Sequence, residues 1–293
     1  MKEIILFCYG DSRDASTWSN VPYLMALSFE RRGVKVNRVD ISPDERVSHV
    51  ISRLMRLMKM GRGNCYTRST LFRILTERRI KKAVRKYADA DFCVFLNFDF
   101  YNRYSQVPSL VFSDWTFKIL SERGGFKQMG YEKKFLKWQG GVLNNATLVL
   151  PLFSDSVAKM RVDYPHANIV GIDRNVINCL DSETLDENTV ITKKLSSNYV
   201  LFIGREAYKE GLKILIEAIG RLDRPIELHV IGMSGREIAK APDFVKFHGF
   251  LRKDNPSECR LYYDLLRNAR LLVNPTPEWA GYSQLTLPAH SRV

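Results

Sequence analysis

Short apolar runs alternate with amphipathic stretches along most of this chain. EIILFCYG at 3–10 is a strand-length apolar run that ends in a Gly-Asp turn. VPYLMALSFERRG at 21–33 then carries its apolar residues at helical spacing, and Gly33 stops it. VKVNRVDI at 34–41 reads as the next strand. Further strands are expected at DFCVFLNFD (91–99), SLVFSD (109–114), ATLVLPLF (146–153) and NIVGID (168–173). Strands separated by helices, each too far apart for a hairpin, predict a parallel sheet with crossover helices. Residues 180–198, LDSETLDENTVITKKLSSN, lose the apolar periodicity and read as a connection. A second alternating series follows: strand YVLFIG (199–204), helix KEGLKILIEAIGRL, strand IELHVIG, short strand VKFHGF, helix SECRLYYDLLRNA and strand RLLVNPT. The expectation is an α/β protein of two Rossmann-like domains, 1–180 and 199–293.

Composition narrows the classes. The 293 residues are 45% hydrophobic with 11% aromatics, enough to bury two cores and too apolar for a disordered chain. The longest apolar stretch, TLVLPLF at 147–153, falls far short of the roughly 18 residues that span a bilayer. The first residues turn from apolar to charged too soon for a signal peptide, so a cytoplasmic protein is expected. Cys8, Cys65, Cys93, Cys179 and Cys259 are odd in number and widely spaced, which predicts reduced thiols and no metal-ligand pair.

The net charge of +13 is concentrated locally. Between 46 and 86, Arg46, Arg53, Arg56, Lys59, Arg62, Arg68, Arg73, Arg78, Arg79, Lys81, Lys82, Arg85 and Lys86 face Glu77 alone. Val50, Leu54, Leu57 and Met58 recur there at helical spacing. An anionic partner fits this segment: nucleic acid, the headgroups of a membrane's inner face, or a phosphorylated acceptor. A solvated helix face is the alternative that needs no partner. No nucleic-acid recognition motif is present and aromatics are sparse in the segment, which places nucleic acid below the anionic surface.

Open α/β sheets bind ligands beyond the carboxyl ends of their strands, so the loops there are the first candidates for chemistry. The loop after YVLFIG sets Arg205 and Lys209 at the start of a helix, where backbone N–H groups and a guanidinium suit a diphosphate. The ordered succession LFIGREAYKEGLKILIEAI, IELHVIG, VKFHGFL and LYYDLLRNARLLVNPTPEWAGYSQL closely resembles the nucleotide-sugar domain of the retaining family-4 glycosyltransferases of the GT-B fold. The likeness covers about 199–285, with a looser match over the N-terminal half. It implies two Rossmann-like domains facing across a cleft and a sugar moved from a nucleotide-diphosphate donor to a hydroxyl acceptor.

The resemblance also assigns residues. Gly204 and Arg205 match the family's Gly-Arg loop, in which the arginine and a following lysine neutralise the donor diphosphate. The family's lysine directly precedes a glycine; here Glu210 stands in that place and Lys209 lies one residue earlier. Glu278 in PTPEWAG fits the first of two glutamates eight positions apart, beside the donor sugar, and the turn containing Gly281, Tyr282 and Ser283 offers backbone amides to phosphate. The second position, which holds the ribose in the family, is Thr286. His248, Gly249 and Phe250 resemble the loop that frames the nucleobase; alone they read as a core strand ending in a turn. Gly10 matches the first cleft loop. Trp18 would stack on the acceptor-side sugar or pack that loop. Asp114 lies where the family keeps a polar residue near the reacting sugar, or caps the next helix. Ser154 and Asp155 read as a helix cap.

No cofactor and no essential divalent ion are expected. DAD at 89–91 looks like a metal-binding carboxylate pair but precedes its strand, and NFD at 97–99 supplies one carboxylate. The last residues, LPAHSRV, depart from the family's continuing helix, so the second domain is expected to be incomplete, truncated at its C-terminus, and its transfer activity poor. The alternative functions are nucleic-acid binding or a non-catalytic scaffold role through the basic 46–86 segment.

Overall fold

A computed structural model of the chain describes residues 2–57, 65–125, 127–171, 186–236, 238 and 240–275. The chain divides into two compact units, 1–175 and 176–293. Unit 1 runs β1 (Glu3–Cys8), α1 (Val21–Glu30), β2 (Lys35–Asp40), α2 (Glu45–Leu57), α3 (Thr70–Lys86), β3 (Phe92–Phe95), β4 (Ser109–Ser113), α4 (Phe117–Arg123), α5 (Gly130–Asn145), β5 (Leu148–Pro151) and α6 (Ser154–Asp163). Its five strands pair in parallel in the order β2-β1-β3-β4-β5. Ile4 to Cys8 are each at most 4% exposed, because a parallel strand flanked by helices buries both faces, and this explains why the run EIILFC does not alternate. Phe7 and Phe95 sit opposite in register, with rings stacked 4.5 Å apart. Ile80 and Val84 of α3, Val142 and Leu143 of α5 and Met160 of α6 close the core around them.

Gly33 stops α1 as expected. Its φ of 74° lies where a side chain would be strained, and Val34 N–H returns to Phe29 O at 3.1 Å. The buried carboxylate of Glu132 accepts the Met129 N–H at 2.9 Å at the start of α5 and pairs with Arg68 at 3.3 Å.

Unit 2 contains α7 (Glu187–Ser196), β6 (Tyr199–Ile203), α8 (Lys209–Gly220), β7 (Glu227–Ile231), β8 (Val245–Phe247), α9 (Pro256–Asn268) and β9 (Leu271–Leu272). Its four strands are parallel in the order β8-β7-β6-β9, the 3-2-1-4 arrangement of a Rossmann half. One face of the sheet packs Phe202, Leu228 and Val230 on Leu212 and Leu215 of α8. The other packs Leu201, Ile203 and Ile231 on Tyr262 and Leu266 of α9.

Three local expectations are corrected. The stretch read as a connection contains α7, capped by Asp186, whose carboxylate accepts the Thr189 N–H at 2.9 Å. Tertiary contacts hold this helix. Val190 and Lys194 are buried, Lys194 Nζ donates to Ala269 O at 3.2 Å, and Arg270 donates to Leu195 O at 3.0 Å. The strand expected at 168–173 reduces, over its described residues, to a single bridge between Ile169 and Val149. The cap expected from Ser154 and Asp155 is absent as such: Phe153 occupies the cap position of α6, Ser154 begins the helix, and Asp155 bonds the Ser156 N–H at 2.8 Å from within the first turn.

Candidate functional site

The strand order of unit 1 reverses between β1 and β3, and loops diverging from such a point leave a crevice at the carboxyl ends. A cavity of about 320 Å³ opens there, lined by Cys8 and Tyr9 after β1, Leu96 to Asp99 after β3, Ser113 to Trp115 after β4, and Trp18. Trp18 (φ 37°) and Asn20 (φ 69°) both sit in the left-handed region. A bulky side chain there costs on the order of 1–3 kcal/mol, and the surrounding loop holds Trp18 with its ring tilted against Phe112 at 6.0 Å. Gly10 (φ 96°) turns the chain out of β1, and its N–H is taken by Ser42 Oγ at 2.8 Å and Asp40 Oδ1 at 3.0 Å.

Asp99 is the hub of the cavity's polar groups. Tyr9 donates its hydroxyl to Oδ2 at 3.0 Å, Gln139 donates to Oδ1 at 2.8 Å, and the Trp138 indole N–H donates to the Asp99 carbonyl at 2.7 Å. Burial pushes its carboxyl above the usual carboxylate range, against those hydrogen bonds and the Arg68 charge. Asn97 accepts the N–H groups of Asp99 and Phe100 through Oδ1, at 2.9 and 3.0 Å. Its Nδ2 is buried with no hydrogen-bond partner among the described residues. A buried unpaired amide donor is rare, and a ligand oxygen in the cavity would satisfy it.

Asp114 accepts the Trp115 N–H at 2.8 Å and the Ser113 hydroxyl at 3.1 Å. It does not cap α4; Thr116 does, through the Ile119 N–H at 3.2 Å. Asp114 is therefore a carboxylate at the cavity wall. Burial pushes the Cys8 thiol up to about 12, which disfavours its thiolate. Cys8, Cys65, Cys93 and Cys259 are free thiols, the first three buried.

The raised Asp99 carboxyl has a thermodynamic signature. The folded state binds this proton more tightly than the unfolded chain, so its contribution to stability is complete at acid pH. It falls as pH rises from the ordinary carboxylate value through the raised one. Asp99→Asn should remove that decline. Urea unfolding of parent and variant from acid to neutral pH checks this, the expected result being a difference between them that changes only inside that window. A constant offset would mean that Asp99 titrates normally.

In unit 2 the order reverses between β6 and β9, and the loop leaving β6 begins with Gly204 and Arg205. Three glycines meet at these strand ends. Gly204 N–H donates to Ile231 O at 3.0 Å, Gly232 N–H to Gly249 O at 2.7 Å, and Gly249 N–H to Met233 O at 3.0 Å. Arg205 precedes the short 3-10 turn Glu206–Tyr208, which leads directly into α8 at Lys209. The exposed guanidinium of Arg205 lies 4.8 Å from the centre of the Phe250 ring, a cation–π contact that brings together two residues predicted from separate segments.

His248 is committed within the unit. Its Nε2 lies 3.0 Å from His229 Nδ1, and His229 Nε2 lies 3.2 Å from Glu227 Oε2. Both contacts are satisfied when each ring is neutral and donates from Nε2, and burial with the neighbouring His229 pushes the His248 pKa down. The His229 ring also stacks on Tyr199 at 4.3 Å. Glu278, Gly281, Tyr282, Ser283 and Thr286 lie outside the described residues, as does Cys179.

Sequence reasoning missed several cavity residues. Asp99 is legible in the sequence as one carboxylate at a strand's carboxyl end, too few for a metal site, and nothing there indicates Tyr9 or Gln139 as its partners. Tyr9 and Trp115 carry no motif, Asn97 enters only as part of NFD, and Gln139, which bonds Asp99 from α5, has no signal in the sequence. Among the described residues no group of three His, Cys, Asp or Glu side chains is placed to hold a metal ion, and no helix is long and apolar enough to cross a membrane.

No protein-family profile matches the sequence, nor does any curated protein. Solved structures do. Sucrose-phosphate synthase from Thermosynechococcus elongatus superposes with a TM-score of 0.60 at 14% identity, over 94% of this chain and 76% of that one. HepE from Anabaena, solved in complex with UDP and glucose, gives a TM-score of 0.55 at 13% identity, over 98% of this chain and 79% of that one. Both are GT-B glycosyltransferases. The chain has the GT-B glycosyltransferase fold, two Rossmann-like units in series with a polar cluster at the strand ends of each.

Proposed function

We propose that this chain is a glycosyltransferase that moves a sugar from a nucleotide-diphosphate donor to a hydroxyl acceptor. The observation that carries the proposal is Arg205, exposed at the strand-order reversal of unit 2, stacked on Phe250 and beside glycines that keep side chains out of the way. Arg205 and Lys209 would bind the diphosphate and stabilise the charge that grows on it as the bond from the sugar C1 to phosphate breaks. The bond that forms joins C1 to the acceptor oxygen, and the hydroxyl proton leaves with the diphosphate.

The cavity of unit 1 suits the acceptor. Trp18, Trp115 and Tyr9 offer aromatic faces to the C–H face of a sugar-like or polyol ligand, Asp114 accepts from its hydroxyls, and Asn97 Nδ2 donates to an oxygen. Retention of configuration and the roles of Glu278 and the Gly281–Ser283 turn belong to this reading through the resemblance, and independence from a metal ion belongs to it through the single carboxylate of NFD at 97–99.

Incubation with UDP-, GDP- and ADP-sugars, with and without chelator, tests the proposal by release of the nucleoside diphosphate and by the anomeric configuration of the transferred sugar. Expected is release from one class of donor, undiminished by chelator and enhanced by a hydroxyl acceptor. Absence of both binding and release for every donor would remove the transferase reading.

A further inference from the structure

The apolar arc of α2 is wider than the core it packs on. At about 100° per residue, Val47, Val50, Leu54 and Leu57 share one side of the helix, next to Ile51, which packs against the unit 1 core. Those four are 37%, 67%, 53% and 75% exposed. A helix serving only the core would carry polar residues at these positions. The exposed arc is bordered on its far side by Arg46, His49 and Arg53, all exposed.

The outward face of α3 has the same character. Leu71 and Ile74 are exposed near its start, and Arg78, Lys82 and Arg85 continue along that face. Both helices contact the turn Cys65–Arg68.

The structure also sorts the basic segment. Arg68 is drawn to Glu132, Arg73 lies 4.5 Å over the Trp138 ring, and Arg79 donates to Ser42 O at 2.5 Å. Glu77, the one acidic residue of 46–86, pairs with Arg103 at 3.5 Å. Arg46, Arg53, Arg78, Lys82 and Arg85 are left exposed, with no acidic partner among the described residues.

We infer that α2 and the outward face of α3 seat this protein on an anionic lipid bilayer. Val50, Leu54 and Leu57 enter the boundary between headgroups and acyl chains, and the arginines and lysines lie over lipid phosphates. A nucleic-acid backbone would use the charges and leave the apolar stripe in water, whereas an interfacial helix uses both. The inference stands on these two helices and is independent of what the strand-end clusters bind.

Flotation of the full chain with vesicles of phosphatidylcholine, alone or mixed with phosphatidylglycerol, tests it. Binding is expected to the mixed vesicles and not to phosphatidylcholine alone. A Val50→Ser, Leu54→Ser double variant and an Arg78→Ser, Lys82→Ser, Arg85→Ser triple variant should each lower the partition coefficient on the order of tenfold. Their melting curves should match the parent's, since every changed side chain is exposed. Equal flotation of the Val50/Leu54 variant and the parent overturns the inference, as does tighter binding of duplex DNA than of mixed vesicles at matched salt.

Discussion

Arg205→Ala should weaken nucleoside diphosphate binding by roughly 10- to 150-fold. A charge-assisted hydrogen bond to phosphate is worth about 1.5–3 kcal/mol, and a guanidinium presents two N–H groups to two oxygens at once. The side chain is available for this, because it is exposed, pairs with no acidic group among the described residues and is held from one side by Phe250. Arg205→Lys keeps the charge and loses the fork, so its affinity should fall between variant and parent. Phe250→Leu leaves the guanidinium in place without its aromatic support and should cost less, about 0.5–1 kcal/mol. Calorimetric titration with UDP and GDP measures all three. Identical dissociation constants for parent and Arg205→Ala would take Arg205 out of the site, whatever the chain's activity.

The second large effect is structural and lies at the same strand ends. A Cβ on Gly232 would stand 2.5 Å from Gly204 O and 2.9 Å from Gly204 C, at a φ of 101°. That backbone cannot retreat freely, because Gly204 N–H is bonded to Ile231 O in the adjoining strand. Gly232→Ala therefore combines left-handed strain of about 1–2 kcal/mol with overpacking of about 1–3 kcal/mol. A loss of about 3 kcal/mol from unit 2 is expected in urea unfolding. Gly249→Ala is the control: its φ is 68°, but nothing lies within 4 Å of the added carbon, so only the strain of about 1–2 kcal/mol should appear. Equal losses in the two variants would show that the contact between the β6 and β7 ends yields without cost. If Gly232→Ala folds, its weakened diphosphate binding would tie the close approach of these loops to the placement of Arg205.

The Gly-Arg loop after YVLFIG was visible as a strand running into a helix, since apolar runs and helical spacing are local signals that survive in any tertiary context. Phe250 lies 45 positions from Arg205, and nothing in either segment indicates that the ring supports the guanidinium. Gly232 is only the last residue of IELHVIG in the sequence, and its requirement for a bare Cα comes from Gly204 at the end of the neighbouring strand.

Local pattern determined the alternation of strands and helices, the division into two α/β units, and the placement of polar residues at strand ends. Those follow from burial: a strand covered on both faces must be apolar throughout, and a helix covered on one must be apolar at helical spacing. Tertiary structure decided what required contact between distant segments. It made a helix of Glu187–Ser196, whose weak pattern is fixed by α9 and by Lys194 reaching Ala269. It gathered Tyr9, Gln139 and Trp138 around Asp99, where desolvation rather than any neighbouring residue in the sequence raises the carboxyl. It also divided the basic segment between arginines that hold the core and those left beside an uncovered apolar stripe. Charge and periodicity report what a residue is able to do, while the packing of remote elements fixes the dielectric, the partners and the exposure under which it does it.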